Sequence, residues 1–94
     1  MPMYIMLSTL TSEGLTTIKK KPDRITEVGE ELKAMGVTVK GQRAVLGEYD
    51  FVNLVEAPDN ETVARASVEI GSRGSVSMAT MPAIPVDEFI ASLK

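Results

Sequence analysis

Tyr4, Tyr49 and Asn53 are the side chains of this chain best suited to meet a small molecule. Each brings a polar group into an otherwise apolar, strand-like segment. A tyrosine there buries its ring and keeps a hydroxyl to orient a ligand, or it satisfies that hydroxyl at a protein interface. Asn53 interrupts Phe51-Val52-Asn53-Leu54-Val55, where an unpaired amide costs about 1–3 kcal/mol. It therefore needs a partner: Ser8, Tyr4, its own counterpart across a dimer axis, or a bound ligand. Met6 and Met78 add thioethers that adapt to irregular space, as a pocket lining or as core filling. Asp50 either shapes a turn with Gly47 or also faces a ligand. The candidate ligand-binding set is Tyr4, Met6, Ser8, Tyr49, Asp50, Asn53 and Met78, and no residue stands out as catalytic.

Composition removes many chemistries. The 94 residues include no histidine and no cysteine. Without them there is no Ser-His-Asp triad, imidazole ligand, thiol nucleophile, disulfide or zinc-thiolate site. No metal or cofactor is implied, and the missing histidine disfavours haem. The net charge of −3 argues against general nucleic-acid binding, which needs a broad positive field. Lys19-Lys20-Lys21 reads as a solvated run. Glu27, Glu30 and Glu31 read as a solvated helix face, not a carboxylate metal site. Gly71-Ser72-Arg73-Gly74 lacks the lysine and helix start of a phosphate loop and reads as a helix exit. The apolar opening Met1–Leu10 is too short for a signal peptide, and nothing approaches a membrane span of ~20 residues. The expectation is a soluble, cytoplasmic protein of one domain, residues 1–94.

The elements that must position these residues follow from periodicity. Met3–Ser8 alternates as a strand, with Ile5 and Leu7 on one face and Tyr4, Met6 and Ser8 on the other. Thr11 or Ser12 caps a helix beginning at Glu13, and Leu15, Ile18, Ile25, Val28, Leu32 and Met35 form its apolar stripe. Pro22 predicts a break near Lys20–Lys21 and a restart with proline in the first turn; Gly36 ends the second piece. Val37–Leu46 forms the second strand, with Val37, Val39 and Val45 opposite Thr38, Lys40 and Gln42, and a bulge at Gly41. Its Lys40 and Arg43 suit an anion or guard a sheet edge.

Gly47-Glu48-Tyr49-Asp50 turns the chain into the third strand, Tyr49–Glu56. Val52 and Leu54 share one of its faces; Tyr49, Phe51, Asn53 and Val55 share the other. Asp59 caps the next helix, whose inward side is Val63, Ala66, Ser67 and Ile70 and which ends near Gly71–Gly74. Val76–Ala83 is the fourth strand. After Pro85, Val86, Phe89, Ile90 and Leu93 recur at helical spacing.

The order β, α, β, β, α, β with a short final helix is the α+β, ferredoxin-like plait, both long helices lying on one face of an antiparallel sheet. If Tyr4, Met6, Phe51 and Val55 share the other face, a lone monomer leaves a large apolar surface in water. Two copies pairing their sheets would bury it, which predicts a homodimer built as a dimeric α+β barrel.

The chain resembles the GYD-domain family of small bacterial and archaeal proteins. The resemblance rests on Tyr4-Ile5-Met6-Leu7-Ser8, Glu13-Gly14, Gly47-Glu48-Tyr49-Asp50, Val55-Glu56-Ala57-Pro58-Asp59 and the last strand before Phe89. It covers nearly the whole length. It implies the dimeric α+β barrel fold, whose members include cofactor-free monooxygenases, isomerases and stress proteins, and no particular reaction. The hairpin from Gly47 to Asp59 is also similar to the ligand-binding domain of the leucine-responsive regulators, without their DNA-binding half.

Two functions fit these residues. One is a small-molecule-binding or assembly module working as a homodimer or higher homo-oligomer, with Tyr4, Asn53 and Tyr49 as the polar points of an apolar cavity. The alternative is a cofactor-independent monooxygenase or isomerase acting on an activated aromatic substrate, in which a tyrosine or Asn53 orients a molecule that supplies its own reactivity. An enzyme would lose turnover in Tyr49→Phe or Asn53→Ala, whereas a binding module would lose affinity alone. The expected partners are the chain itself and a small molecule, with no nucleic acid and no membrane.

Overall fold

A computed structural model describes all 94 residues. The elements run β1 (Met3–Leu10), α1 (Ser12–Lys20), α2 (Arg24–Ala34), β2 (Thr38–Ala44), β3 (Phe51–Glu56), α3 (Asn60–Gly71), β4 (Val76–Ala83) and α4 (Val86–Ser92). The strands form one antiparallel sheet in the order β2-β3-β1-β4. This is the expected ferredoxin-like α+β plait.

The helix ends follow from local chemistry. Thr11 caps α1, its hydroxyl accepting from the Gly14 amide at 3.1 Å. Pro22 lies in the turn between α1 and α2, so the restart comes at Arg24, after the proline and not around it. α2 ends in a Schellman arrangement: the Val37 amide donates to Leu32 O and the Gly36 amide to Lys33 O. Gly36 sits at φ +90°, a conformation glycine adopts without strain. The motif also brings Leu32 and Val37 into the core together. Asp59 caps α3, accepting from both the amide and the hydroxyl of Thr62.

The face assignment needs correction. Tyr4, Met6 and Val55 are fully buried with Val63, Ala66 and Ile70 of α3 and Leu32 of α2, so they lie under the helices, not on the open face. By register Phe51 pairs with Ser8 and lies on that same side. The open face instead carries Ile5 between Leu54 and Met81, and Leu7 between Val52 and Ala79. Alternation says which residues travel together, and both sets here are apolar, so it does not say which set the helices cover.

Smaller differences concern the hairpin. β2 stops at Ala44 and β3 starts at Phe51, because Asp50 is drawn toward β1. Its carboxylate accepts from the Leu10 amide at 2.7 Å, and its own amide donates to Ser8 O at 2.8 Å. The β2 irregularity falls between Val39 and Gly41, so the bulge carries Gln42 over to the row of Asn53. β2 is an edge strand, as expected for a segment bearing Lys40 and Arg43.

α1 meets the rest of the fold at one close point. A Cβ on Gly14 would run into the carbonyl oxygen of Ser75. That oxygen also accepts from the Thr11 amide, while the Thr11 hydroxyl donates to Gly74 O. Gly14→Ala must push backbone from backbone and should destabilise the protein by about 1–3 kcal/mol, read as a lower urea midpoint. An unchanged midpoint would mean that α1 is not held by this contact.

Candidate functional site

The helix-covered side of the sheet holds a partly open cavity of about 240 Å³ beneath α1 and α2. Ser8 of β1, Asn53 of β3 and Met78 of β4 line it, facing Ile18 of α1 and Val28 of α2. The space persists because α1 buries only Gly14 on this side and leaves Leu15 54% exposed. A helix with so little inward bulk cannot fill the gap between itself and the sheet.

Asn53 is the polar centre of the cavity wall. It is 6% exposed. Its Nδ2 donates to Met6 O at 3.1 Å and, at the longer distance of 3.4 Å, to Ser8 Oγ. Its Oδ1 has no partner. The Ser8 partnership was expected; the unmet oxygen was not.

Charges gather at the rim. Arg24 and Arg73 both line the cavity, and both bind Glu31. The Arg24 to Glu31 distance is 2.6 Å; Arg24 also reaches Glu27, and Arg73 reaches Glu69. Partial burial pushes the Glu31 carboxyl upward, but hydrogen bonds from Arg24 and Arg73 outweigh it and hold the group below the usual carboxylate range. The same pairing, led by the hydrogen bond to Glu31, raises Arg24. Glu27 is lowered chiefly by its hydrogen bond from Lys21. The network ties the start of α2 to the end of α3 across the mouth.

The expected site residues separate. Ser8, Asn53 and Met78 share the cavity. Tyr4 does not join them: its hydroxyl donates to Asn60 Oδ1 at 2.7 Å, and it borders a different recess with Pro82 and Ile84. Met6 is core, and Tyr49 and Asp50 belong to the hairpin, where Asp50 is engaged by β1. Tyr4, Tyr49 and Asn53 are thus not the polar points of one cavity.

Sequence reasoning missed Arg24, Arg73 and the bridging role of Glu31. Arg73 lay in what reads as a helix exit, and Glu31 on what reads as a solvated face. The one available signal was the spacing of Arg24, Glu27 and Glu31 along a single helical side.

The sequence profile of the GYD domain matches residues 4–93. The chain belongs to the GYD domain family. Among GYD relatives, it is 57% identical over 95 aligned residues, covering 100% of both chains, to a Thermus thermophilus protein named "Glutamine synthetase and cystathionine beta-lyase binding protein". The GYD chain also superposes on the crystal structure of FFRP-DM1 with a TM-score of 0.61 and 26% identity, covering 89% of this chain and 100% of that one. A hypothetical protein from Pyrococcus horikoshii gives a TM-score of 0.57 and 28% identity, with 90% and 92% covered.

The rim carboxylates and the Asp59 cap together set an acid limit on stability. Glu27, Glu31 and Asp59 have folded pKa values below their ordinary ones. Their contribution is therefore full above the unfolded carboxylate pKa of about 4 and is lost as pH falls through the lower folded values. The melting temperature should fall as the solution is acidified below about pH 4.5. Glu31→Gln should lower the melting temperature at neutral pH and flatten the acid slope. An unaltered slope in that variant would show that Glu31 is not the group being titrated.

Proposed function

We propose that this protein is a protein-binding module that works as a homo-oligomer, and that its partners are metabolic enzymes of the glutamine synthetase and cystathionine β-lyase kinds. The observation that carries the partner reading is the 57% identity, over the full length of both chains, to the Thermus thermophilus protein named for binding those two enzymes. At such similarity the fold is shared.

The geometry supports self-association through the open sheet face. Leu54 and Met81 are each 41% exposed on either side of Ile5, and Leu7 lies between Val52 and Ala79 in the next row. This face is apolar in the middle and carries charges of both signs toward its margins, among them Arg43 and Glu56. A second copy offers the same composition with no single-sign repulsion, as a two-fold interface requires. Phe89, Ile90 and Leu93 of α4 are exposed as well. The occupant of the open face is thus a second copy, and the assembled oligomer is what meets the enzymes.

Surface plasmon resonance with purified glutamine synthetase and purified cystathionine β-lyase tests the partner reading directly. Saturable binding to at least one is expected, and binding to neither would overturn it. Leu54→Lys should elute as a folded monomer on gel filtration, since it places a charge in the centre of the apolar face. A variant that still elutes with the wild type would locate the interface elsewhere.

A further inference from the structure

Asn53, in the wall of the cavity beneath α1 and α2, carries an unmet hydrogen-bond acceptor in an apolar setting. Asn53 is only 6% exposed, its Nδ2 is used on Met6 O and Ser8 Oγ, and its Oδ1 has no partner. Exchanging the ends of the amide does not relieve this, because it would set Oδ1 against the Met6 carbonyl. Buried amide oxygens are rarely left alone, since the lost hydration is not recovered. At about 240 Å³ the space is also far larger than the roughly 30 Å³ share of one water.

We propose that this cavity is a binding site for a small, uncharged, mainly apolar molecule of the phenol type, whose O–H donates to Asn53 Oδ1 as the amide turns from the wall toward the space. The apolar body is required by Ile18, Val28, Leu32, Ile70 and Met78 around it. Neutrality follows from the rim: Arg24 and Arg73 are already committed to Glu31, and Glu13, which also borders the cavity, is exposed and hydrated. An ionised ligand would lose its hydration without finding a free counter-charge inside. A donor is required because a wholly apolar occupant would leave Oδ1 unmet. The Met78 thioether can shift to fit a ring. The site lies within one protomer and does not depend on self-association or on the enzyme partners.

An NMR titration of the intact protein with phenol and with benzene, following the Asn53 side-chain amide and the Met78 methyl, tests this. Phenol should give saturable shifts at both probes, and benzene should bind about five- to tenfold more weakly for want of the donor. Asn53→Leu should remove the preference for phenol. Val28→Trp, which fills the space from α2 and leaves the Asn53 side chain itself in place, should abolish binding of both and serves if Asn53→Leu does not fold. The proposal is overturned by an absence of saturable shifts with phenol, which would leave water as the only occupant. Equal affinity for benzene would reduce the site to an apolar void. Phenol shifts that survive Val28→Trp, or a preference that survives Asn53→Leu, would place the binding elsewhere.

Discussion

One sheet with two apolar faces and helices enough for one is the constraint on which this structure depends. α2 and α3 cover the side of Tyr4, Met6 and Val55, where the core forms. The opposite rows, Leu54-Ile5-Met81 and Val52-Leu7-Ala79, have no covering element within the chain. Contiguous apolar surface of this kind is uncommon on a protein that works alone. The proposed homo-oligomer rests on that imbalance more than on any single contact.

The helix layer is itself unevenly packed, and this produces the cavity. α3 sends Val63, Ala66 and Ile70 into the core, with the Ser67 hydroxyl sharing a 2.8 Å hydrogen bond with Thr80 of β4. α1 touches the sheet through Gly14, where its backbone approaches that of Ser75. A close backbone contact fixes the helix position but supplies no side-chain volume. The room left above Ser8, Asn53 and Met78 is spanned at its rim by the Arg24-Glu31-Arg73 bridge. Exposed ion pairs contribute little to stability one at a time; the shared carboxylate matters here because it links two helices across an opening.

Much of the fold was legible in the residues. The caps at Thr11 and Asp59, the break at Pro22, the stop at Gly36 and the fourth strand at Val76–Ala83 each follow from a local rule that the structure obeys. The choice of sheet face was not legible, because Ile5, Leu7, Val52 and Leu54 are as apolar as Tyr4, Met6 and Val55, and only the helices' placement decides between them. Asn53 announced itself as a polar residue in an apolar strand, and its link to Ser8 was foreseeable. The separation of Tyr4 from Asn53 was not, since strand alternation puts them on one face without saying how far apart their environments lie. Arg73 and Glu31 are distant in sequence, so their pairing needed the folded chain.

The claim that the open face is covered by a second copy is tested most directly by sedimentation equilibrium of the wild-type protein over a range of concentrations. The account predicts at least twice the protomer mass of 10.1 kDa, persisting on dilution into the micromolar range. A single species of 10.1 kDa at every concentration would contradict it and leave the apolar rows around Ile5 and Leu7 exposed in solution.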